Sequence, residues 1–131
     1  MQQKDGVSIV QAWQDAMNHQ DRQRLAELSD PQIELIGPRG SAYGIEVLRE
    51  WLERAGLTLT TWRTFARDDV VVVAQHGMWQ SAATGGVPSE ADVASVFRVK
   101  QGRVTQYARY DTLNEALQNV GLTEADEIAP T

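Results

Sequence analysis

The chain has 131 residues, no cysteine and a formal net charge of −6, with 42% hydrophobic and 23% charged residues. That length fits one domain with a core large enough to need no covalent staple. The missing cysteines exclude disulfides and thiol chemistry and point to a reducing cytoplasm; the acidic balance argues against a nucleic-acid partner.

Residues 1–6 lack the apolar stretch of a signal peptide, and the longest apolar run, residues 70–74, is far too short to span a bilayer. Ser8 and Gln11 have the spacing of a capping box. Ile9, Val10, Trp13 and Met17 then recur at helical spacing, which predicts a first helix over about residues 9–19. Asp21 is placed to cap a short second helix through Leu25 and Leu28, which Pro31 stops. Ile33 and Leu35 alternate with Gln32 and Glu34 as a short strand, broken by Gly37-Pro38-Arg39-Gly40. Ile45, Leu48, Leu52 and Ala55 form the stripe of a third helix over residues 45–55, with Gly56 suited to its end. β-Branched and aromatic residues dominate from Leu57, a strand that ends at a turn, Arg67-Asp68-Asp69. A long strand follows over residues 70–80. Gly85-Gly86 and Pro88 make residues 81–90 a loop.

Residues 93–99 and 104–111 read as a hairpin turning at Gln101-Gly102. Thr112 and Glu115 open a last helix with stripe Leu113, Ala116, Leu117 and Val120, closed by Gly121. Residues 123–131 are acidic and aperiodic and read as a flexible tail beyond a single domain of residues 1–122. Early helices and late antiparallel strands make an α+β fold. The expected product is a strongly bent antiparallel sheet wrapped around the N-terminal helices, a cone-like barrel with a central pocket for a small molecule.

Three local patterns support this reading. They are the run from Pro38-Arg39-Gly40 to Gly44-Ile45-Glu46-Val47-Leu48-Arg49, the pair Val96-Phe97-Arg98-Val99 and Gly102-Arg103-Val104, and Arg109-Tyr110-Asp111 with Glu115-Ala116-Leu117 and Gly121-Leu122. With the element order over residues 8–120, they resemble the SnoaL-like group of the nuclear transport factor 2-like superfamily. That resemblance implies a homodimer formed through the sheet. It does not imply one activity, because the superfamily includes cyclases, isomerases, an epoxide hydrolase, dehydratases and non-catalytic modules. Limonene epoxide hydrolase has an aspartate one position before its last-strand tyrosine; here Arg109 precedes Tyr110. Arginine stays protonated and cannot serve as a base, so that carboxylate-driven attack does not carry over.

A two-residue turn without a bulge puts Val93, Ser95, Phe97, Val99, Val104, Gln106, Ala108 and Tyr110 on one inward face and Arg109 outside. The resemblance implies a pocket position for Arg109. A β-bulge between Val104 and Arg109 reconciles the two, and a strongly bent sheet needs such bulges.

His76 and Arg109 are the candidate catalytic residues, His76 for proton transfer near neutrality and Arg109 for holding an oxyanion. Their plainer roles are a hydrogen-bonded histidine in a core or interface, and an ion pair of Arg109 with Glu90 or Asp92. Trp13, Trp62, Ser95, Tyr107 and Tyr110 are candidates to line an apolar ligand site; for the aromatics among them, core or dimer packing is the plainer role. Two histidines on different elements and no cysteine give no metal site, and no phosphate-binding or nucleophile-elbow motif is present. The expected protein is a small-molecule binder with no cofactor, with acid/base chemistry on a small hydrophobic oxygenated compound or, alternatively, a non-catalytic binding or dimerisation role.

Overall fold

A computed structural model describes residues 3–37, 40–55, 57–79 and 89–128. Pro38, Arg39, Gly56 and the Gly85-Gly86 loop lie outside the described residues. Helix α1 (Gln3–Asn18) starts before the Ser8 capping box, so that pattern sits inside a helix rather than at its start. Asp21 caps α2 (Arg22–Glu27), accepting from the Arg24 N–H at 3.1 Å. Strand β1 (Ser29–Gly37) is longer than its short alternation indicates, and a strand absent from the sequence reading, β2 (Gly40–Tyr43), pairs back on it. Helix α3 (Ile45–Ala55) falls where its stripe puts it. The remaining elements are β3 (Leu57–Arg67), β4 (Val70–Trp79), β5 (Ser89–Lys100), β6 (Arg103–Tyr110) and α4 (Leu113–Val120). Ser89 and Glu90, expected in a loop, continue the β4 pairing through Trp79↔Ser89.

The six strands form one curved, unclosed sheet in the order β2-β1-β6-β5-β4-β3. Every neighbouring pair is antiparallel except β1 with β6, which run parallel. Alternation along the strands splits the apolar residues between two cores. On the inner side, Val71, Val73, Val93, Phe97 and Val104 pack under Val10, Trp13 and Met17 of α1. On the outer side, Val72, Ala94, Val96 and Ala108 pack under Ala116 and Leu117 of α4. Gly121 ends α4 at φ 73°, a left-handed position where glycine costs least.

The hairpin turns at Gln101 and Gly102, with φ of 54° and 77°, the left-handed pair that a two-residue turn requires. Lys100 faces Arg103 and Val99 faces Val104, but Arg98 faces Gln106. Thr105 is therefore an extra residue, and its hydroxyl donates to the Arg98 carbonyl at 3.2 Å. This bulge keeps Val104 inward yet moves Tyr107 and Arg109 to the inner face, and Gln106, Ala108 and Tyr110 to the outer one.

Residues 123–128 lie along β3. Thr123 and Asp126 form a capping box on a short 3-10 turn, and Ile128 donates its N–H to the Thr64 carbonyl at 2.8 Å. Arg63 and Arg67 hold Glu124, Glu127 and Asp126. Charge that reads as solvation in sequence is countercharge here.

Candidate ligand site on the inner face of the sheet

A cluster of polar side chains lies inside the inner core, where apolar residues would be the default. Ser95 is fully buried, and its hydroxyl donates to Gln75 Oε1 at 2.6 Å. Gln75, also fully buried, passes its amide hydrogen to Gln14 Oε1. The same Gln14 oxygen accepts from the Thr61 hydroxyl at 2.8 Å, and Gln14 Nε2 donates to the Leu59 carbonyl at 3.3 Å. At the other end, the Tyr107 hydroxyl lies 3.4 Å from Ser95 Oγ. The one Ser95 hydrogen is directed to Gln75 at the shorter distance, so the long contact to Tyr107 does not claim the phenol hydrogen. Burial pushes the Tyr107 pKa up, while Ser95 and the Arg109 charge pull the other way. The phenol is thus neutral at physiological pH.

Arg109 faces Ser95 across the strand pair, two residues along β6 from Tyr107. Both facts put it on the inner face, half-buried and electrostatically coupled to the phenol. Among the described residues of the inner sheet face, none is a carboxylate.

Trp13 lies beneath this cluster. It packs against Phe97 edge-on at 5.3 Å between ring centres and against Tyr107 at 5.1 Å, and its Nε1–H donates to Ser29 Oγ at 2.9 Å. The indole is thus a wall and support for Tyr107.

Trp13, Ser95, Tyr107 and Arg109 are therefore brought to one side of the sheet. The other three candidates are not among them. Tyr110 packs with the outer core beside α4. Trp62 is 60% exposed at a second bulge, between Thr61 and Arg63. His76 points to the outer face, one step out of phase with Gln75. Its ring nitrogens meet Asp92 Oδ1 at 3.0 Å and Glu90 Oε1 at 2.9 Å. Those hydrogen bonds, Asp92's first, raise its pKa. The carboxylates considered as partners for Arg109 thus serve His76.

Gln14, Thr61 and Gln75 are absent from the sequence candidates, yet a signal for them existed. Gln14 falls on the α1 stripe, one residue after Trp13 and three before Met17. Gln75 keeps phase with Val71 and Val73. A polar residue on an apolar stripe is the informative exception.

A family model described as the SnoaL-like domain matches residues 10–107. No curated protein sequence matches the chain. Among solved structures, an LEH-like epoxide hydrolase of Mycobacterium tuberculosis is 17% identical at a TM-score of 0.74, over 88% of this chain and 84% of that one. A second M. tuberculosis protein, solved in complex with estradiol-17β-hemisuccinate, is 20% identical at a TM-score of 0.72, over 84% and 95% of the two chains. TerC, co-crystallised with polyporic acid, is 16% identical at a TM-score of 0.72, over 88% and 96%. Identities this low establish a shared fold and no shared activity. Solved structures described as NTF2-like share the fold at 13% and 21% identity; the match to the family model covers most of the chain, and the protein belongs to the SnoaL-like domain family.

Proposed function

We propose that the protein binds a small hydrophobic, oxygen-bearing compound against the inner face of β4, β5 and β6, with a ligand oxygen at Tyr107 and Arg109. The observation that carries this reading is the buried line Gln14–Gln75–Ser95–Tyr107. Burying amides and hydroxyls gains little over apolar side chains of the same shape, even when all are paired. Four paired polar groups in a row rigidify the interior around them and fix one donor in place, as a binding site requires. A neutral phenol beside a permanent cation suits a carbonyl, carboxylate or enolate oxygen. Trp13 and Phe97 give that end of the site an apolar, aromatic base.

If a reaction takes place, it is of the isomerase, cyclase or hydrolase type, with Tyr107 as proton donor and Arg109 holding the oxyanion. The two ligand-bound structural neighbours, with a steroid hemisuccinate and polyporic acid, support the compound class. His76 has no part in this reading because its ring is on the outer face. The cysteine-free sequence fits a cytoplasmic setting.

A thermal-shift screen against small apolar acids and lactones tests the site. The unmodified protein is expected to gain stability with at least one compound, and Arg109→Ala and Tyr107→Phe to lose most of that gain, while His76→Ala keeps it. Equal ligand-induced shifts in all four proteins would falsify the assignment.

A second reading, a dimerisation module, rests on the outer face. There α4 leaves Met78 45% exposed and His76 half-exposed on β4, with Trp62 60% exposed at the neighbouring β3 bulge. Pairing of two copies through that face predicts that Met78→Lys lowers the sedimenting mass; an unchanged mass removes this reading.

A further inference from the structure

Strand β3 is the last strand on its side of the sheet, so its outward backbone groups have no neighbouring strand. A bare edge of eleven residues is a template for another chain. This edge is covered at two points by two different devices. Near its start, the Asn18 side chain imitates a strand residue: Nδ2 donates to the Leu59 carbonyl at 2.8 Å and Oδ1 accepts the Leu59 N–H at 2.9 Å. Near its end, the segment after α4 returns along the strand. Ile128 donates to the Thr64 carbonyl at 2.8 Å, and Glu127 bridges Phe65 in the antiparallel sense.

The two covers differ in how they are held. Asn18 belongs to α1 and is anchored by the core beneath it. Residues 123–128 are held largely by ion pairs, Arg63 to Glu124 at 2.6 Å and to Glu127 at 2.8 Å, and Arg67 to Asp126 at 3.2 Å. Arg63 grips Glu127 through two nitrogens, and because these groups reach solvent their attraction is screened by salt.

We propose that residues 123–128 are a removable cover, and that β3 of a second copy is the partner this edge takes when the cover lifts. Asn18 still blocks Leu59, so the free stretch runs from Thr61 to Arg67. An antiparallel pair of such stretches centred on Thr64 sets Arg63 opposite Phe65, and the bulge at Trp62 ends regular pairing beyond that point, so that no two arginines oppose each other. β-Branched and aromatic residues fill most of the remaining positions, a favourable composition for cross-strand pairing. Glu124, Asp126 and Glu127 leave the edge with the cover, so a second strand does not approach against their charge.

The test compares the full chain, a chain ending at Leu122, and full-length Glu124→Ala/Glu127→Ala, by sedimentation velocity at matched concentration and by circular dichroism for fold. The shortened chain is expected at twice the mass of the full chain, and the double variant at an intermediate average mass that rises with protein concentration. Adding Thr64→Pro removes an outward N–H that pairing with β4 does not use, and should return each to the mass of the full chain. A folded variant that keeps the full-chain mass, or self-association that survives Thr64→Pro, overturns the proposal. Binding of an acidic peptide to the shortened chain without self-association overturns it as well. If the shortened chain does not fold, the full-length double variant decides by the same outcomes.

Discussion

The two faces of the sheet each carry a polar cluster, and they differ in charge. Inside, Gln14, Gln75, Ser95 and Tyr107 are neutral and almost wholly removed from water. Outside, His76 sits between Glu90 and Asp92 in solvent, and the three are ionisable. The difference follows from the cost of burial: a neutral amide can be paired back to near its free energy in water, whereas an isolated charge cannot. The inner cluster should therefore matter for stability and ligand choice, and the outer one for pH response. The largest effect should come from what supports the inner cluster. Trp13 fills the space beneath Tyr107 and Phe97 and is fully buried. Trp13→Ala is expected to cost about 3–5 kcal/mol in a denaturant titration; a loss below about 1 kcal/mol would mean the aromatic cluster is not the base of the inner face.

The next effect separates a network from a set of independent contacts. Gln75→Leu keeps the volume but leaves the Ser95 hydroxyl only its long contact to Tyr107 and takes one of the two donors from the Gln14 oxygen. It should destabilise by about 1–3 kcal/mol, the cost of leaving buried polar groups unpaired. Ser95→Ala made in the Gln75→Leu background should then cost less than Ser95→Ala alone, because the hydroxyl has already lost its acceptor. Strict additivity in that double-mutant cycle would show that the residues do not act together.

Local chemistry made much of this legible beforehand. The hairpin, its left-handed turn and the α4 cap are dictated by residues close together in sequence: Gln101-Gly102, Thr112 with Glu115, and Gly121. The bulge at Thr105 was anticipated from the need to bend, and it sets which of Arg109 and Tyr110 faces inward. Long-range pairings were less visible. Strand β2 has four residues and little periodicity, and exists because Glu34 to Gly37 offer it an edge. Residues 123–128 look disordered by composition because their partners, Arg63 and Arg67, are about sixty residues away. His76 shows the limit of reading one residue type. Its place between Ala74 and Met78 resembled a pocket position, yet being one step out of phase with Gln75 puts it outside, and phase requires knowing which of the two faces each strand buries.

The smallest effect belongs to that outer histidine and has a definite sign. Hydrogen bonds donated by the ring to Asp92 and Glu90 hold the His76 pKa above its ordinary value of about 6.5. A raised pKa means that the folded state binds the proton more tightly than the unfolded chain does. Its contribution is then complete below the unfolded value and is lost as pH rises through the folded one. Melting temperature should accordingly decline slightly from near pH 6.5 upward, and His76→Gln should flatten that part of the profile while leaving ligand-induced shifts at the inner face unchanged. A steeper decline in His76→Gln than in the parent would place the titrating group elsewhere. Loss of ligand response in the same variant would mean that the two faces are coupled through β4, where His76 and Gln75 are adjacent. Such coupling would tie proton binding outside to the orientation of the amide that Ser95 donates to inside.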